Sequence, residues 1–420
     1  MNKRINKWYK LDNAAKIFPP TTNKYDTKTF RFSVSLKEEV DGEILQKSLD
    51  STILNFPIFL STLKRGFFWY YLEETDIKPK VTKEDTLPCD YMEDGILFRV
   101  SYYKKRISLE VSHALTDGTG TEIFLKSLTA NYLEKKYGVK TNEVLDTSST
   151  NEKSIDSFNK YYKKKKKTIY EKRTKSYHIK GRIYPEDHIK IIEGLMPVKD
   201  VLNLSKSYNT TLTVYLVSVL IESIGLNMSI KDRKNPIYIT VPVNLRKYFP
   251  SDTVRNFFNT ISIIYTIGEE IDFSDIIKSV DDQFKKSLTK EVLNEKMNSL
   301  AELEKMFVIR LVPVFIKDIV LKYAYKFNRK YHTMTLSNVG IISMPKEFND
   351  YIEYFDVFAS TDGAQVCLCT YEDKLVISFT SHFVNADIEK NFFRKLSSNN
   401  INIQINTNIV EEDEDDEEVL

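Results

Sequence analysis

Ser112-His113-Ala114-Leu115-Thr116-Asp117-Gly118-Thr119-Gly120 stands where a strand pattern gives way to a helix pattern. Upstream, residues 106–112 alternate: Ile107, Leu109 and Val111 are apolar, and Ser108, Glu110 and Ser112 share the opposite face. Downstream, Thr119 and Glu122 have the spacing of a capping box, in which a threonine oxygen accepts a free N–H and a glutamate reaches back. Ile123, Phe124, Leu128 and Leu133 follow at helical spacing, and Gly138 marks the stop. The pattern predicts a strand–turn–helix unit with His113 at the C-terminal tip of the strand. Rigid elements that present a loop are where functional side chains concentrate, and an imidazole there is placed to act as a general base. A histidine and an aspartate four residues apart are also common by chance, so the reading depends on what surrounds them.

The surroundings form an ordered set of strands and helices. Residues 97–102 alternate as a second strand, joined to the histidine strand through Lys104 and Lys105. Residues 30–36 and 68–72 read as strands, and residues 41–54 as a helix with Ile44, Leu45, Leu49 and Ile53 on one side. From Thr141 to Ser176 the chain turns polar, which sets the boundary between a first half, 1–177, and a second, 178–410. The second half opens with helix patterns over 198–208 and 213–224, the latter densely apolar and expected to be buried. Residues 237–241 form a strand that Pro242 should end, since its missing N–H excludes a central ladder position. A strand over 259–265, helices near 276–288 and 300–326, a hairpin over Glu372 and Asp373, and a helix over 387–396 complete the pattern. Strands and helices without strict alternation indicate an α+β class.

Composition narrows the function classes. A chain of 420 residues exceeds one ordinary core, and 42% hydrophobic with 12% aromatic residues supplies two packed interiors. Glycine is scarce at 12 residues, so two in one turn stand out. Net charge is +2, but Glu411 to Glu418 are eight consecutive acids, and without them residues 1–410 carry +10. The 411–420 tail is expected to be solvated and disordered. The basic surplus suits an anionic ligand. Lys163 to Lys167 reads as solvated linker, because no nucleic-acid motif accompanies it. Cys89, Cys367 and Cys369 make neither a disulfide framework nor a zinc site, and fit buried thiols in a reducing compartment. Residues 1–8 have no apolar signal core, and no run is long and apolar enough to span a bilayer, so a cytoplasmic location is expected. The apolar spacing of residues 307–327, with Pro313 inside, is accounted for by core packing; work at a lipid surface is the alternative. There is no G-x-S-x-G elbow and no P-loop, and Gly118-Thr119-Gly120 lacks the rest of a dinucleotide fingerprint. His178, His188, His332 and His382 have no partner at catalytic spacing and read as surface or turn residues.

His113 to Gly118 matches the HxxxDG signature, and on it the chain resembles the chloramphenicol acetyltransferase-like superfamily, which includes alcohol acetyltransferases and peptide-synthetase condensation domains. Three further segments resemble that family in the right order: Trp8 to Ala14, Val241 to Arg246 followed by Arg255-Asn256-Phe257, and the Leu336-Ser337-Asn338-Val339-Gly340 turn. The likeness runs from Trp8 to about Leu396 and is closest to the bacterial alcohol-acetyltransferase branch. Condensation domains carry a second histidine before the catalytic one; here that place is Ser112. The plant branch's DFGWG turn is absent.

The resemblance implies two chloramphenicol-acetyltransferase-like α/β sandwich halves forming a pseudo-dimer around a central tunnel. It implies an acyl-CoA-dependent O-acyltransferase in which His113 is the general base for a hydroxyl or amine attacking a thioester, with no acyl-enzyme. Acetyl-CoA or a longer acyl-CoA is then the co-substrate, with no permanently bound cofactor and no metal. In the family the aspartate points away from substrate and pairs with an arginine of the second half, so Asp117 is expected to pair with Arg246. The competing reading is that Asp117 caps the following helix. Gly118 would permit close approach of the backbone to the reacting carbonyl. Ser337 or Asn338 would serve the oxyanion or the acceptor, or else form a plain turn. Transfer from a carrier-protein thioester, and a non-catalytic scaffold of the same fold, are the alternative functions.

Overall fold

The computed structural model describes residues 7–92, 95–141, 149–163, 174–185, 188–305 and 310–409. The acidic run 411–418 and lysines 164–167 lie outside them. The first half carries β1 (Trp8–Lys10), β2 (Thr29–Leu36), β3 (Ser61–Arg65), β4 (Tyr70–Glu74), β5 (Val81–Lys83), β6 (Phe98–Tyr103) and β7 (Arg106–Ser112). The second carries β8 (Lys190–Pro197), β9 (Ile237–Asn244), β10 (Phe258–Tyr265), β11 (Met334–Ile341), β12 (Ile352–Ala359), β13 (Ala364–Tyr371), β14 (Lys374–Ser381) and β15 (Gln404–Thr407).

Two main sheets result. One has the order β12-β2-β7-β6-β5, the other β10-β9-β11-β13-β14-β8-β15. A small β1-β4-β3 sheet stands beside the first. The Gly42–Thr52 and Gly118–Tyr137 helices pack together over the five-stranded sheet, burying Leu45, Leu49, Phe124, Leu128 and Leu133 against Phe32 and Leu109. The Leu212–Asn227 helix lies between the Phe273–Ser287 and Asp387–Ser397 helices and buries Leu216, Leu220 and Ile224 in the second core. The molecule is therefore α+β, two sandwiches side by side. They are not independent. β12 comes from the second half of the chain yet pairs antiparallel with β2, from Ile352 opposite Leu36 to Ala359 opposite Phe30.

Three expectations are corrected. Pro242 does not end its strand: β9 runs to Asn244, with Pro242 opposite Thr260 of β10. Only Ile239 and Thr240 pair with β11 on the other side, so the strands have parted before a proline N–H is missed. Residues 336–340 are not a turn but strand, with a bulge between Asn338 and Gly340 where Gly340 takes φ +101°. Among the described residues, the helix expected over 300–326 is interrupted at Val312 and Pro313, and Val314–Asn328 starts directly after the proline. Its apolar side is not core either: Phe315, Ile319, Tyr323 and Phe327 are exposed, while Lys317 and Asp318 are buried. No single helix among the described residues is long and apolar enough to cross a membrane.

Candidate functional site

The strand tip is fixed by its own backbone and by β2. β7 ends at Ser112, whose carbonyl accepts the Leu115 N–H at 2.9 Å, and His113 N–H donates to the Lys28 carbonyl at 2.8 Å. The helix that follows begins at Gly118 and is capped by Asp117, not by Thr119: Asp117 Oδ1 accepts the Gly120 N–H at 3.1 Å. The Thr119 hydroxyl is engaged elsewhere, accepting from Asn244 Nδ2 at 2.9 Å. The stop at Gly138 is as read, in the left-handed region at φ 69°, with its N–H on the Glu134 carbonyl.

Asp117 does two things at once. Besides capping, it meets Arg246 edge to edge, Oδ2 to Nη1 at 2.8 Å and Oδ1 to Nη2 at 3.2 Å, and it accepts the Phe257 N–H at 2.8 Å. The guanidinium is also held by the carbonyls of Thr253 and Arg255 at 2.9 and 2.6 Å. Both side chains are nearly buried, so each hydrogen bond offsets part of their desolvation.

Residues 253–258 of the second half clamp the turn from outside. Asn256 Nδ2 donates to the His113 carbonyl at 3.0 Å and to Asp12 Oδ2 at 3.1 Å. Burial pushes the Asp12 carboxyl up to about 6, against the pull of Arg255. The Thr116 hydroxyl donates to the Val254 carbonyl, and a Cβ on Gly120 would collide with both of those oxygens. A Cβ on Gly118 would meet only the Phe32 ring at 3.4 Å, an ordinary contact. Packing therefore demands glycine at 120, not at 118. Asn256 lies in a segment with a visible family likeness and Val254 just before it, but nothing in the spacing says that they would grip residues 113–120. Only contact across the halves reveals that.

The imidazole sits in an aromatic cage drawn from three segments: Phe18 stacks at 5.0 Å, Phe30 lies at 4.3 Å and Phe258 at 6.3 Å between ring centres. His113 is deeply surrounded yet keeps some accessible surface. Nδ1 is buried without a hydrogen-bond partner. Burial pushes the imidazole pKa down to about 4, and the Lys28 ammonium adds to this; Asp117, Asp26 and the Thr116 backbone pull the other way without prevailing. The ring is thus neutral near pH 7, with a lone pair available. Lys28 itself stands in the left-handed region at φ 57° and is held by Asp26 and by the Tyr325 hydroxyl, the latter at 3.1 Å.

The structure thus brings together His113, Asp117, Gly118 and Arg246. Ser337 and Asn338 stand in β11. Asn338 Nδ2 donates to Thr213 Oγ1 at 2.8 Å and its Oδ1 accepts the Gly340 N–H at 2.9 Å; neither residue hydrogen-bonds to the 113–120 turn among the described residues. Two of the remaining histidines are not surface residues. His382 is buried between the carbonyls of His188 and Tyr25, each at 2.9 Å, and His332 Nδ1 lies 3.1 Å from the Thr240 hydroxyl. All three cysteines are free and buried. Among the described residues no cluster of three or more histidine, cysteine or acidic side chains is arranged for a metal. Two open surface hollows, beside Tyr265 and Lys286 and beside Gly42 and Tyr102, contain none of these groups.

Solved structures match this architecture along almost the whole chain. Polyketide synthase associated protein 5 from Mycobacterium tuberculosis aligns over 93% of this chain and 97% of its own, with TM-score 0.60 and 14% identity. Fusarium sporotrichioides TRI101, solved with coenzyme A and T-2, gives 0.63 at 10% identity over 93% and 97%. The starter condensation domain of rhizomide synthetase RzmA, solved with C8-CoA, gives 0.62 at 10% identity over 93% and 94%. No family model and no curated protein matches the sequence. The chain has the two-lobed fold of the chloramphenicol acetyltransferase-like acetyltransferases and condensation domains.

Proposed function

We propose that the protein is an acyltransferase that moves an acetyl or longer acyl group from a coenzyme A thioester to the hydroxyl, or amine, of a small acceptor. The observation that carries this is His113: a neutral imidazole that keeps some accessible surface, on a turn gripped by both halves of the chain. In this reading residues 1–177 and 178–410 are the two lobes, and substrate reaches His113 between them. Nε2 takes the acceptor proton as the acceptor oxygen attacks the thioester carbonyl. The tetrahedral intermediate then collapses, the C–S bond breaks, and the proton passes to the departing thiolate. No acyl-enzyme forms. A positioned base contributes about 10²–10⁴-fold, and the remainder comes from holding two substrates in register and from stabilising the oxyanion.

Asp117 and Arg246 act as positioning residues, because their bonds end on the turn and not at the imidazole. The space beside Gly118 is where the reacting carbonyl would approach. Of the two β11 candidates for the oxyanion or acceptor, Ser337 is the available donor, since the Asn338 amide is committed to Thr213.

The test incubates pure protein with acetyl-CoA and longer acyl-CoAs and a panel of alcohols and amines, and follows free thiol. Acceptor-dependent thiol release, lost in His113→Ala, is expected. Absence of release from every acyl-CoA, with transfer from a carrier-protein thioester instead, would replace the donor. Absence of transfer from either leaves only a scaffold.

A further inference from the structure

The Val314–Asn328 helix is built inside out for a surface helix. Val314, Lys317, Asp318, Leu321 and Tyr325 share its inner side, at spacings of three and four residues. Every polar member of that side is engaged. Lys317 Nζ donates to the Phe68 carbonyl at 2.8 Å and lies 3.3 Å above the Trp69 ring. Asp318 accepts from Arg65 and from the Tyr70 hydroxyl, both at 2.9 Å. Tyr325 reaches Lys28. These bonds fix the rotation of the helix, and so the other side must face out. That side holds Phe315, Ile316, Ile319, Val320, Tyr323 and Phe327, which expose between 41% and 72% of their surface. Phe67 and Phe68 extend it at the tip of the β3–β4 hairpin, where the Phe67 carbonyl accepts the Val314 N–H. An apolar face of this extent on a water-soluble chain marks an interaction surface.

We propose that this face docks on an anionic lipid surface, with the helix lying in the headgroup plane. Its borders favour that occupant. Lys322 and Lys326 are exposed along one edge, and Arg329 and Lys330 follow at the C-terminal end. Apolar and aromatic side chains on one arc with lysines along its border are what an interfacial helix needs to insert and to pair with headgroups. The Lys322, Lys326 and Lys330 ammonium groups along this border draw it toward negative lipid and oppose the pairing of two copies through the same border. The inner side of the helix also adjoins the proposed site. The helix packs on the one-turn Phe18–Thr21 helix, whose Phe18 stacks on His113, and Tyr325 holds the residue whose carbonyl fixes the His113 N–H. Docking therefore brings the lipid surface to the side of the molecule that carries the Val314–Asn328 helix and its Phe18–Thr21 support, although the lipid contact itself does not depend on acyl transfer.

Flotation of the full chain with vesicles of phosphatidylcholine alone, and of phosphatidylcholine mixed with phosphatidylglycerol, tests this. Binding to the mixed vesicles, weakened by high salt, is expected. Ile319→Glu with Tyr323→Glu should abolish it while leaving the melting temperature unchanged, since both side chains are exposed. Lys322→Gln with Lys326→Gln should weaken it on the order of tenfold. No flotation with anionic vesicles, or flotation undiminished in the glutamate variant, overturns the proposal. So does a lipid-free dimer that the glutamate variant converts to monomer, because the face would then belong to a second copy. The readout involves no acyl-CoA, so its failure is separable from failure of the enzymatic reading.

Discussion

His113 and His332 share a chemistry and differ in everything around it. Both are half-buried, both have pKa values pushed down to about 4 chiefly by burial, and both feel the charges of Asp26 and Lys28. His332 spends Nδ1 on the Thr240 hydroxyl, and the charges of Arg329 and His178 lower it further. His113 has Nδ1 sealed without a partner, three aromatic rings around it and its backbone held from both halves. A depressed pKa therefore reports burial, which core histidines share with catalytic ones. An unpartnered imidazole in an aromatic cage, on an over-determined turn, is what separates the proposed base from a packed side chain.

The largest expected effect follows directly. His113→Ala lowers kcat/KM for acyl transfer by about 10²–10⁴-fold with the fold intact, whereas His332→Gln leaves the rate of the same order. Equal losses in the two variants would erase the distinction and point to a pair of histidines acting together. Circular dichroism on both variants separates lost chemistry from lost structure.

The ion pair comes next. Asp117→Asn keeps a capping side chain but leaves Arg246 buried without a counter-charge, which costs about 3–5 kcal/mol. A cap alone is worth about 1 kcal/mol, and asparagine serves nearly as well as aspartate in that position. Urea unfolding thus decides between the two roles that Asp117 fills. A loss of less than about 1 kcal/mol would make the Arg246 contact ornamental.

How much of this was legible in the sequence differs element by element. The alternation of Ile107, Leu109 and Val111, the helical spacing after Thr119 and the stop at Gly138 are local patterns, and they appear in place. The cap was misread because Thr119 and Glu122 satisfy a local rule, while Asp117 wins through bonds to Phe257 and Arg246 that only the folded chain supplies. The pairing of β12 with β2 joins residues more than three hundred positions apart and leaves no local signature. The Val314–Asn328 helix shows the limit most clearly. Periodicity tells which residues share a side, not which side faces in, and here the polar side won because Arg65, Phe68, Trp69 and Tyr70 wait to receive it.

A smaller effect sharpens the account of the turn. Gly120→Ala drives a methyl into the Val254 carbonyl and the Thr116 hydroxyl, and overpacking of this kind costs about 1–3 kcal/mol. Gly118→Ala meets only the Phe32 ring, so its melting temperature should stay close to that of the parent. If Gly118→Ala then loses activity, the loss measures space reserved for substrate. If instead it unfolds and Gly120→Ala does not, the order of importance of the two glycines is reversed.

The smallest effect concerns pH and returns to the two histidines. In the unfolded chain each titrates near 6.5, and in the folded chain near 4, so between those values the unfolded state binds more protons. Stability therefore falls as pH drops below about 6.5 and levels off below about 4; by pH 5.5 each histidine accounts for about 1.4 kcal/mol of that fall. His113→Gln and His332→Gln should each remove a comparable share of the histidine-dependent acid slope seen in thermal melts between roughly pH 7.5 and 5.5, with His178, also lowered by burial, supplying the remainder. They should do so equally, although only the first loses activity. An acid slope that survives the His113 substitution unchanged would mean that the folded imidazole takes up its proton as readily as the unfolded one. It would then not be a buried neutral base, and the acid limb of kcat/KM would lie near 6.5 instead of close to 4.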